Sequence, residues 1–220
     1  MTKPARLAAF VAGSLVLFLA VVLGGLYVAS RHEPEFYARA LETDPDTQDA
    51  ASDAMLQSIS ALAGDVRRPG RWQAVFTAEE INGWAAVDLV QNHPDLLSPD
   101  VRDPRVAIRP GELTLAYRAT TDTFDGVVTV GLDVFLPKPN VVAVRIRHAR
   151  AGLVPLPLES TIRAISDSAR EMDLRLQWRQ IEGDPVALVT LPPLEDENRH
   201  MRIETVQLGQ GELYIAGTTE

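Results

Sequence analysis

The sequence contains no cysteine, only four histidines and only two lysines. The lack of cysteine excludes disulfides, thiolate nucleophiles and lipid attachment at a cysteine. The histidines are far apart in the chain and form no H-x-x-x-H pair: His32, His93, His148 and His200. The chain also lacks a G-x-S-x-G elbow, a P-loop and a G-x-G-x-x-G turn. We therefore expect no enzyme, no metal site and no cofactor.

Charge is missing from one long segment. Residues Leu7–Ala29 form an uncharged, apolar run of 23 residues. At about 1.5 Å per residue this makes roughly 35 Å of helix, enough to span a bilayer core of about 30 Å. Lys3 and Arg6 precede the run, and the positive-inside rule places them in the cytoplasm. The pattern predicts a cytoplasmic tail (1–6), a transmembrane helix (7–29) and an extracytoplasmic or periplasmic remainder.

A cleaved signal peptide is the alternative interpretation of the apolar run. Tyr27-Val28-Ala29 resembles a small-residue cleavage site. The run is nevertheless longer than a signal h-region of about 7–15 residues. A retained anchor in the inner membrane is therefore the favoured prediction.

The chain beyond this run is strongly acidic. All 30 acidic residues follow it, as do 19 of the 21 basic ones, which gives this part a formal charge of −11. Binding to nucleic acid requires clustered Lys and Arg to neutralise phosphates. The composition therefore argues against a nucleic-acid partner.

Residues 30–70 are predicted to be a helical juxtamembrane segment. Pro34 suits a first helical turn, and a second helix is expected over Thr47–Ala63. One apolar stripe follows this helix at spacings of three and four residues: Ala51, Met55, Ile59, Leu62 and Val66. We expect the stripe to be buried against the domain, a short coiled-coil stalk being the alternative. Asp44, Asp46 and Asp49 are better explained by a helix start than by calcium binding, because the EF-hand glycine is absent.

The strongest local signal begins the predicted domain at 71–220. Phe76-Thr77-Ala78-Glu79-Glu80-Ile81-Asn82 has the pattern of a capping box with a hydrophobic staple. It follows a short predicted strand over Trp72–Phe76. The helix is expected to continue until His93-Pro94, since a residue before proline disfavours helical geometry.

The rest of the chain alternates in the manner of antiparallel strands with one buried face. Val128, Val130, Leu132, Val134 and Leu136 are the longest such series. A further amphipathic helix interrupts the strands, with apolar residues at Leu158, Ile162, Ile165, Ala169 and Met172. The predicted fold is α+β, a curved antiparallel sheet packed on one or two long amphipathic helices.

Two groups of residues are candidate binding sites. Arg145, Arg147 and Arg150, with nearby Arg163, could grip an anionic headgroup or simply form the solvent face of a sheet. The apolar residues of the two domain helices, with one strand tryptophan, could line a groove or fill an ordinary core: Ile81, Trp84, Leu89, Ile162, Ile165 and Trp178. Asp95, Asp100 and Asp103 could pair for acid–base work, although loop solvation explains them equally well.

Two hairpin turns carry a faint internal repeat. The shared pattern is Gly-Glu-Leu-x-[Leu/Ile]-Ala, at Gly111–Ala116 and again at Gly211–Ala216, 100 residues later. Independent hairpins that use the same turn chemistry are the simpler explanation.

The anchor, the T-x-E-x-[I/L]-N helix start at Thr77–Asn82 and the Gly-x-x-Pro-Leu-Pro step at Gly152–Pro157 resemble the YpmS-like and LmeA-like bacterial envelope proteins. Through them the chain is similar to the tubular lipid-binding (TULIP) superfamily. The resemblance covers about Trp72–Gly217. It implies a long helix wrapped by a curved antiparallel sheet, with an apolar groove that accommodates lipid in relatives.

We therefore expect a non-catalytic, single-pass membrane protein whose outer domain binds or presents a lipid or another apolar envelope ligand. A scaffold or protein-interaction module of an envelope assembly is the alternative. It would bind an envelope protein through the helix at Ala51–Val66 or through a sheet edge.

Overall fold

The computed structural model describes residues 20–171, 176–190 and 200–220. Among these residues, no helix is long and apolar enough to cross a membrane. The greater part of the predicted transmembrane segment, residues 7–19, lies outside the described residues, as do Met172 of the predicted amphipathic stripe and residues 191–199.

Helices and strands alternate irregularly along the chain. The helices are α1 (residues 20–30), α2 (Glu35–Leu41), α3 (Pro45–Val66), α4 (Ala78–Ala86), α5 (Asp88–Asn92), a 3₁₀ turn (Pro94–Leu96) and α6 (Leu158–Glu171). The strands are β1 (Gly70–Thr77), β2 (Val101–Arg109), β3 (Glu112–Thr120), β4 (Asp125–Lys138), β5 (Val141–Ala151), β6 (Val154–Pro155), β7 (Leu176–Ile181), β8 (Asp184–Thr190), β9 (Met201–Leu208) and β10 (Glu212–Thr219).

The strands form two antiparallel sheets. The larger has the order β2-β3-β4-β5-β8-β7, with β6 added beside β5, and the smaller has the order β1-β10-β9. The prediction of an α+β fold built on a curved antiparallel sheet is confirmed. Residues 30–70, which the sequence predicts as a separate juxtamembrane segment, are part of this fold, because Tyr37 of α2 is fully buried against Ala116 and Val127 of the larger sheet.

The larger sheet is buried on both faces at its centre, and the prediction of a single buried face is wrong there. Val127 faces α2, whereas Val128 and Val130 face a second apolar cluster that includes α6 residues. Every residue from Gly126 to Gly131 is buried. Helices cover both sides of β4, so its apolar residues do not have to alternate with polar ones.

The capping box at the start of α4 is confirmed. The Thr77 hydroxyl accepts a hydrogen bond from the Glu80 N–H at 3.1 Å, and the Glu80 carboxylate accepts one from the Thr77 N–H at 2.7 Å. The helix does not run unbroken to His93 as predicted. It is interrupted at Val87, whose backbone has φ −110° and ψ −74°, and α5 begins at the next residue.

Helix α3 is longer than predicted and packs closely on α4. Asp44 caps it through Thr47, whose N–H donates at 3.0 Å, so the aspartates near residue 44 mark a helix start. Hydrogen bonds from Thr47 lower the pKa of Asp44. The predicted stripe is only partly buried: Val66 lies in a core cluster, but Ile59 is 41% exposed.

Two asparagine side chains bond the edge strands of the two sheets. Asn82 donates to the Val106 carbonyl at 2.9 Å and accepts from the Val106 N–H at 2.7 Å. Asn140 does the same at the other sheet, where it donates to the Met201 carbonyl and accepts from the Ile203 N–H, both at 2.7 Å. A side-chain amide thus stands in for a neighbouring strand, which blocks pairing with another chain at these points.

The repeated hairpin turns bond to each other. The Gly111 N–H donates to the Leu208 carbonyl, and the Gly211 N–H donates to the Ile108 carbonyl, both at 3.1 Å. The two glycines have nearly equal positive φ angles, 78° and 79°. Each bond is therefore the counterpart of the other under the 100-residue offset, and together they join the two sheets.

Replacing Asn82 with leucine should destabilise the fold by about 2 kcal/mol, because two backbone groups of β2 lose their partners. The measurement is the free energy of unfolding of the full chain in detergent. Asn92→Ala is the matched control, since the exposed Asn92 side chain donates to the Asp88 carboxylate of its own helix and bonds no strand in the described part of the chain. Equal stabilities of the two variants would contradict the role of Asn82.

The contact between α3 and α4 should tolerate no side chain at Gly83. A Cβ there would lie 2.5 Å from the Ala51 Cβ and 2.8 Å from the Gln48 carbonyl oxygen. Gly83→Val should therefore lower the free energy of unfolding by about 2–3 kcal/mol.

The opposite effect on stability is expected at Gly64 of α3, because a Cβ added there meets nothing within 4 Å. Gly64→Ala should stabilise the chain by about 0.5–1 kcal/mol through helix propensity alone. If both substitutions shifted stability in the same direction, the packing of α3 described above would be wrong.

Candidate functional site

An apolar layer lies between α6 and one face of the larger sheet. Its buried floor consists of Val128, Val130, Ile146 and Ala149. Half-buried apolar side chains cover this floor from α6, from the strands and from the segments that flank them: Tyr117, Ala119, Phe124, Leu132, Leu156, Leu158, Ile162, Ile165 and Trp178. Burial raises the pKa of the Tyr117 phenol, as expected for a group in poorly solvated surroundings.

A short chain of hydrogen bonds fixes Trp178 to α6. The indole N–H donates to the Ser166 hydroxyl at 2.9 Å, and that hydroxyl donates to the Ile162 carbonyl at 2.6 Å. A half-buried indole N–H needs such a partner. Strand β7 and helix α6 are thereby held together over the apolar floor.

The other half of the predicted groove lies elsewhere. Ile81 and Trp84 belong to α4 and Leu89 to α5, and α4 packs on α3, β1 and β2, whereas α6 packs on β5. The structure therefore does not join these three residues to Ile162, Ile165 and Trp178 in one groove. Similar amphipathic patterns on two helices do not tell which sheet face each helix covers.

Trp84 is held by polar contacts of its own. Its indole N–H donates to the Asp88 carboxylate at 2.8 Å, and the same carboxylate oxygen lies 3.5 Å from the His93 Nε2 atom. The Trp84 and His93 rings are 6.4 Å apart. These contacts explain why an acidic residue, Asp88, lies beside the apolar face of α4.

The predicted arginine patch divides in two. Arg145 is paired with Glu182 at 3.0 Å, and Arg147 is paired with Asp133 at 2.6 Å and Asp184 at 3.6 Å. The hydrogen bond to Asp133 raises the pKa of Arg147. Arg150 is exposed and has no ion pair with any residue that the structure describes.

Irregular pairing of β5 explains this division. The register between β4 and β5 shifts where Ile146 pairs with Leu132 and His148 pairs with Gly131, which leaves Arg147 as the extra residue of a bulge. A bulge changes the face on which the following residues lie. Spacing along the sequence therefore does not predict which arginines share a surface.

A buried polar pair beneath α2 was not apparent from the sequence. Tyr37 is 0% and Arg105 5% exposed, and neither the Tyr37 hydroxyl nor the Arg105 Nε has a hydrogen-bond partner within the described ranges. Burial and the nearby Asp103 carboxylate raise the pKa of Tyr37, so the phenol keeps its proton at neutral pH. In the sequence, only the presence of a charged residue, Arg105, within a predicted β-strand points to this buried pair, and that signal is weak.

Two pockets with both polar and apolar lining lie away from the apolar layer. One of about 320 Å³ lies among α2, α3 and α4, beside Arg39, Glu79 and Asn82. Another of about 540 Å³ lies on the smaller sheet, beside Arg71, Glu204 and Tyr214. Across residues 20–171, 176–190 and 200–220, no three histidine, aspartate or glutamate side chains converge as a metal site would require.

Comparisons with known proteins add no relative. No protein-family model, no curated protein and no solved structure matches the chain.

Trp84→Phe should test whether this tryptophan belongs to a ligand site or to the fold. The variant loses one hydrogen bond to a carboxylate and should lower the free energy of unfolding by about 1–2 kcal/mol. If the full chain binds a fluorescent fatty acid, as expected from the sequence, this binding should be the same in the variant. Loss of fatty-acid binding at unaltered stability would instead place Trp84 in the ligand site.

Proposed function

We propose that the chain is a membrane-anchored, extracytoplasmic domain that binds or presents a lipid or another apolar envelope ligand without catalysis. The observation that carries this proposal is the apolar layer beneath α6. Its floor is buried, but Ile162, Ile165 and Trp178 above it are only half-buried. The side chains of a protein interior are normally fully buried and densely packed. The half-buried side chains above this floor therefore differ from those of an ordinary core.

The composition of α6 supports a role as a movable cover. Its apolar residues face the sheet, while Glu159, Arg163, Asp167 and Arg170 are exposed. A helix with one apolar stripe and one charged face can shift outward with its charged side remaining in water. An acyl chain could then take the place of helix contacts over Val128 and Ile146.

The N-terminal segment supports the location. Residues 20–28 of α1 are exposed, although Val21, Leu23, Leu26 and Val28 are apolar. They continue the uncharged run Leu7–Ala29, and a bilayer would cover them. The resemblance to YpmS-like, LmeA-like and TULIP proteins motivates the same function, in a single-pass protein of the inner membrane with a cytoplasmic N-terminus.

A scaffold of an envelope assembly is the second candidate. It rests on Leu56 and Ile59 of α3, which are 39% and 41% exposed and could contact an envelope protein. Crosslinking in cells would recover one stoichiometric protein partner through α3 if this candidate were correct.

A photoactivatable, clickable phospholipid distinguishes a ligand site from simple anchoring. The full chain is reconstituted in vesicles that contain the probe, irradiated and digested, and the crosslinked peptides are identified by mass spectrometry. Adducts are expected on α6 and on the β5 and β7 residues that line the apolar layer, Ile146, Ala149 and Trp178. Adducts confined to residues 7–30 would contradict ligand binding and leave only the anchor.

A matched pair of variants tests the layer itself. Ile162→Trp places a larger side chain over the floor and should lower labelling at Ile146 and Trp178 without unfolding the chain. Ile59→Trp makes the same change on the exposed side of α3 and should leave labelling unchanged. Equal labelling of both variants would exclude the layer as the binding site.

A further inference from the structure

The helix α1 leaves the domain at one defined point. Residues 20–28 are exposed, and only Ala29 and Ser30 are partly buried. The Ala29 carbonyl accepts a hydrogen bond from the Leu153 N–H at 2.9 Å. The turn at Gly152–Leu153 therefore lies at the base of α1.

Only glycine fits at position 152. Its φ is +57°, and a Cβ there would collide with the carbonyl oxygen of Ala29. The close approach of this turn to the helix is thus built into the backbone. Phe124, in the turn before β4, lies at the same base, since a Cβ on Gly126 would lie 2.7 Å from its ring and 3.2 Å from the Ser30 carbonyl oxygen.

Two exposed side chains lie at this turn or next to it, since Arg150 of β5 pairs with Pro155 just beyond the turn. Leu153 is 57% exposed at the tip of the turn. Arg150 is exposed and has no ion pair within the described part of the chain. The other arginines nearby are compensated, because Arg31 lies 3.7 Å from Asp125 and Arg118 is paired with Glu33.

We propose that Leu153 and Arg150 form a membrane contact, in which Leu153 enters the bilayer interface and Arg150 binds lipid phosphates. This rests on the proposed anchoring by α1: if that helix is in the bilayer, the surface at its base faces the headgroups. A leucine beside an arginine suits this depth, with the apolar chain below the phosphates and the guanidinium at their level. Asp122 is exposed in the turn before β4, and its negative charge opposes the attraction of this end of the domain to anionic lipid.

The contact would set the orientation of the whole domain. Strand β4 runs from Asp125 at the base to Lys138 beside the smaller sheet, where Leu136 packs against the cluster of Trp72 and Ile203. At about 3.3 Å per residue this strand is roughly 40 Å long. The smaller sheet would then stand away from the membrane, with the apolar layer between the two ends.

The absence of cysteine makes a clean test possible. Leu153→Cys in the full chain is labelled with the fluorophore NBD and reconstituted in vesicles of phosphatidylcholine and phosphatidylglycerol. Its emission should shift to the blue and be quenched several-fold by lipids spin-labelled near the headgroup. Val75→Cys is the matched control, an apolar β1 residue of the smaller sheet that is 42% exposed, and it should show neither effect.

Arg150 is tested in the same labelled chain. Arg150→Gln should lower the docking equilibrium of the probe about fivefold in vesicles with phosphatidylglycerol, in line with one basic residue at an anionic surface. It should have little effect in phosphatidylcholine alone. Arg147→Gln is the control and should change neither value, because Arg147 is held by Asp133 and Asp184.

Flotation of the vesicles separates the two proposals. A chain that does not float with them would overturn both the anchor and the contact. A chain that floats while its probe at 153 is as solvated as the probe at 75 would overturn the contact and leave the anchor. Equal effects of Arg150→Gln and Arg147→Gln would remove Arg150 from the contact.

Discussion

The C-terminal end of α1 is hydrogen-bonded into the larger sheet, and the positions of the elements that follow depend on this contact. The Ala29 carbonyl is bonded to Leu153, and the approach is possible because position 152 carries no Cβ. The ion pairs of Arg31 with Asp125 and of Glu33 with Arg118 continue the attachment. Helix α2 follows directly and buries Tyr37 against the sheet. In this way α2 covers the sheet face opposite α6.

This attachment gives the domain two distinct ends. Phe124 and the start of α6 belong to the apolar layer near α1, and the smaller sheet is fixed at the far end through Asn140 and the reciprocal glycine bonds. The layer therefore extends from the base of α1 toward the centre of the molecule. If α1 belongs to the proposed membrane anchor, a domain attached in this way presents its apolar layer next to the membrane, and this is the physical reason for proposing lipid as its ligand.

The sequence predicts those features that depend on neighbouring residues. The capping box at Thr77 and Glu80, the helix start at Asp44 and the antiparallel strands follow from local hydrogen bonding and from alternation. Contacts between residues that are far apart in the chain are harder to predict from the sequence. Neither the alternation of β4 nor the stripe of α4 indicates that α2 covers one face of the sheet, or that α4 and α6 pack at different places.

The candidate site follows the same division. Ile162, Ile165 and Trp178 come together because the two isoleucines share one side of α6 and Trp178 of β7, near them in sequence, bonds this helix through Ser166. Ile81, Trp84 and Leu89 do not join them, and a bulge at Arg147 separates the three arginines of β5. The faint repeat at Gly111 and Gly211 corresponds to a pair of hydrogen bonds between the two turns, and the sequence alone does not predict this contact.

The most direct test of this account is the distance distribution between α1 and the smaller sheet. Spin labels at Leu23→Cys and Val75→Cys in the reconstituted full chain can be measured by double electron–electron resonance. A single narrow distribution is expected if the end of α1 is fixed by Gly152 and Leu153. A broad distribution, typical of a flexible tether, would contradict the attachment and with it the orientation proposed for the domain.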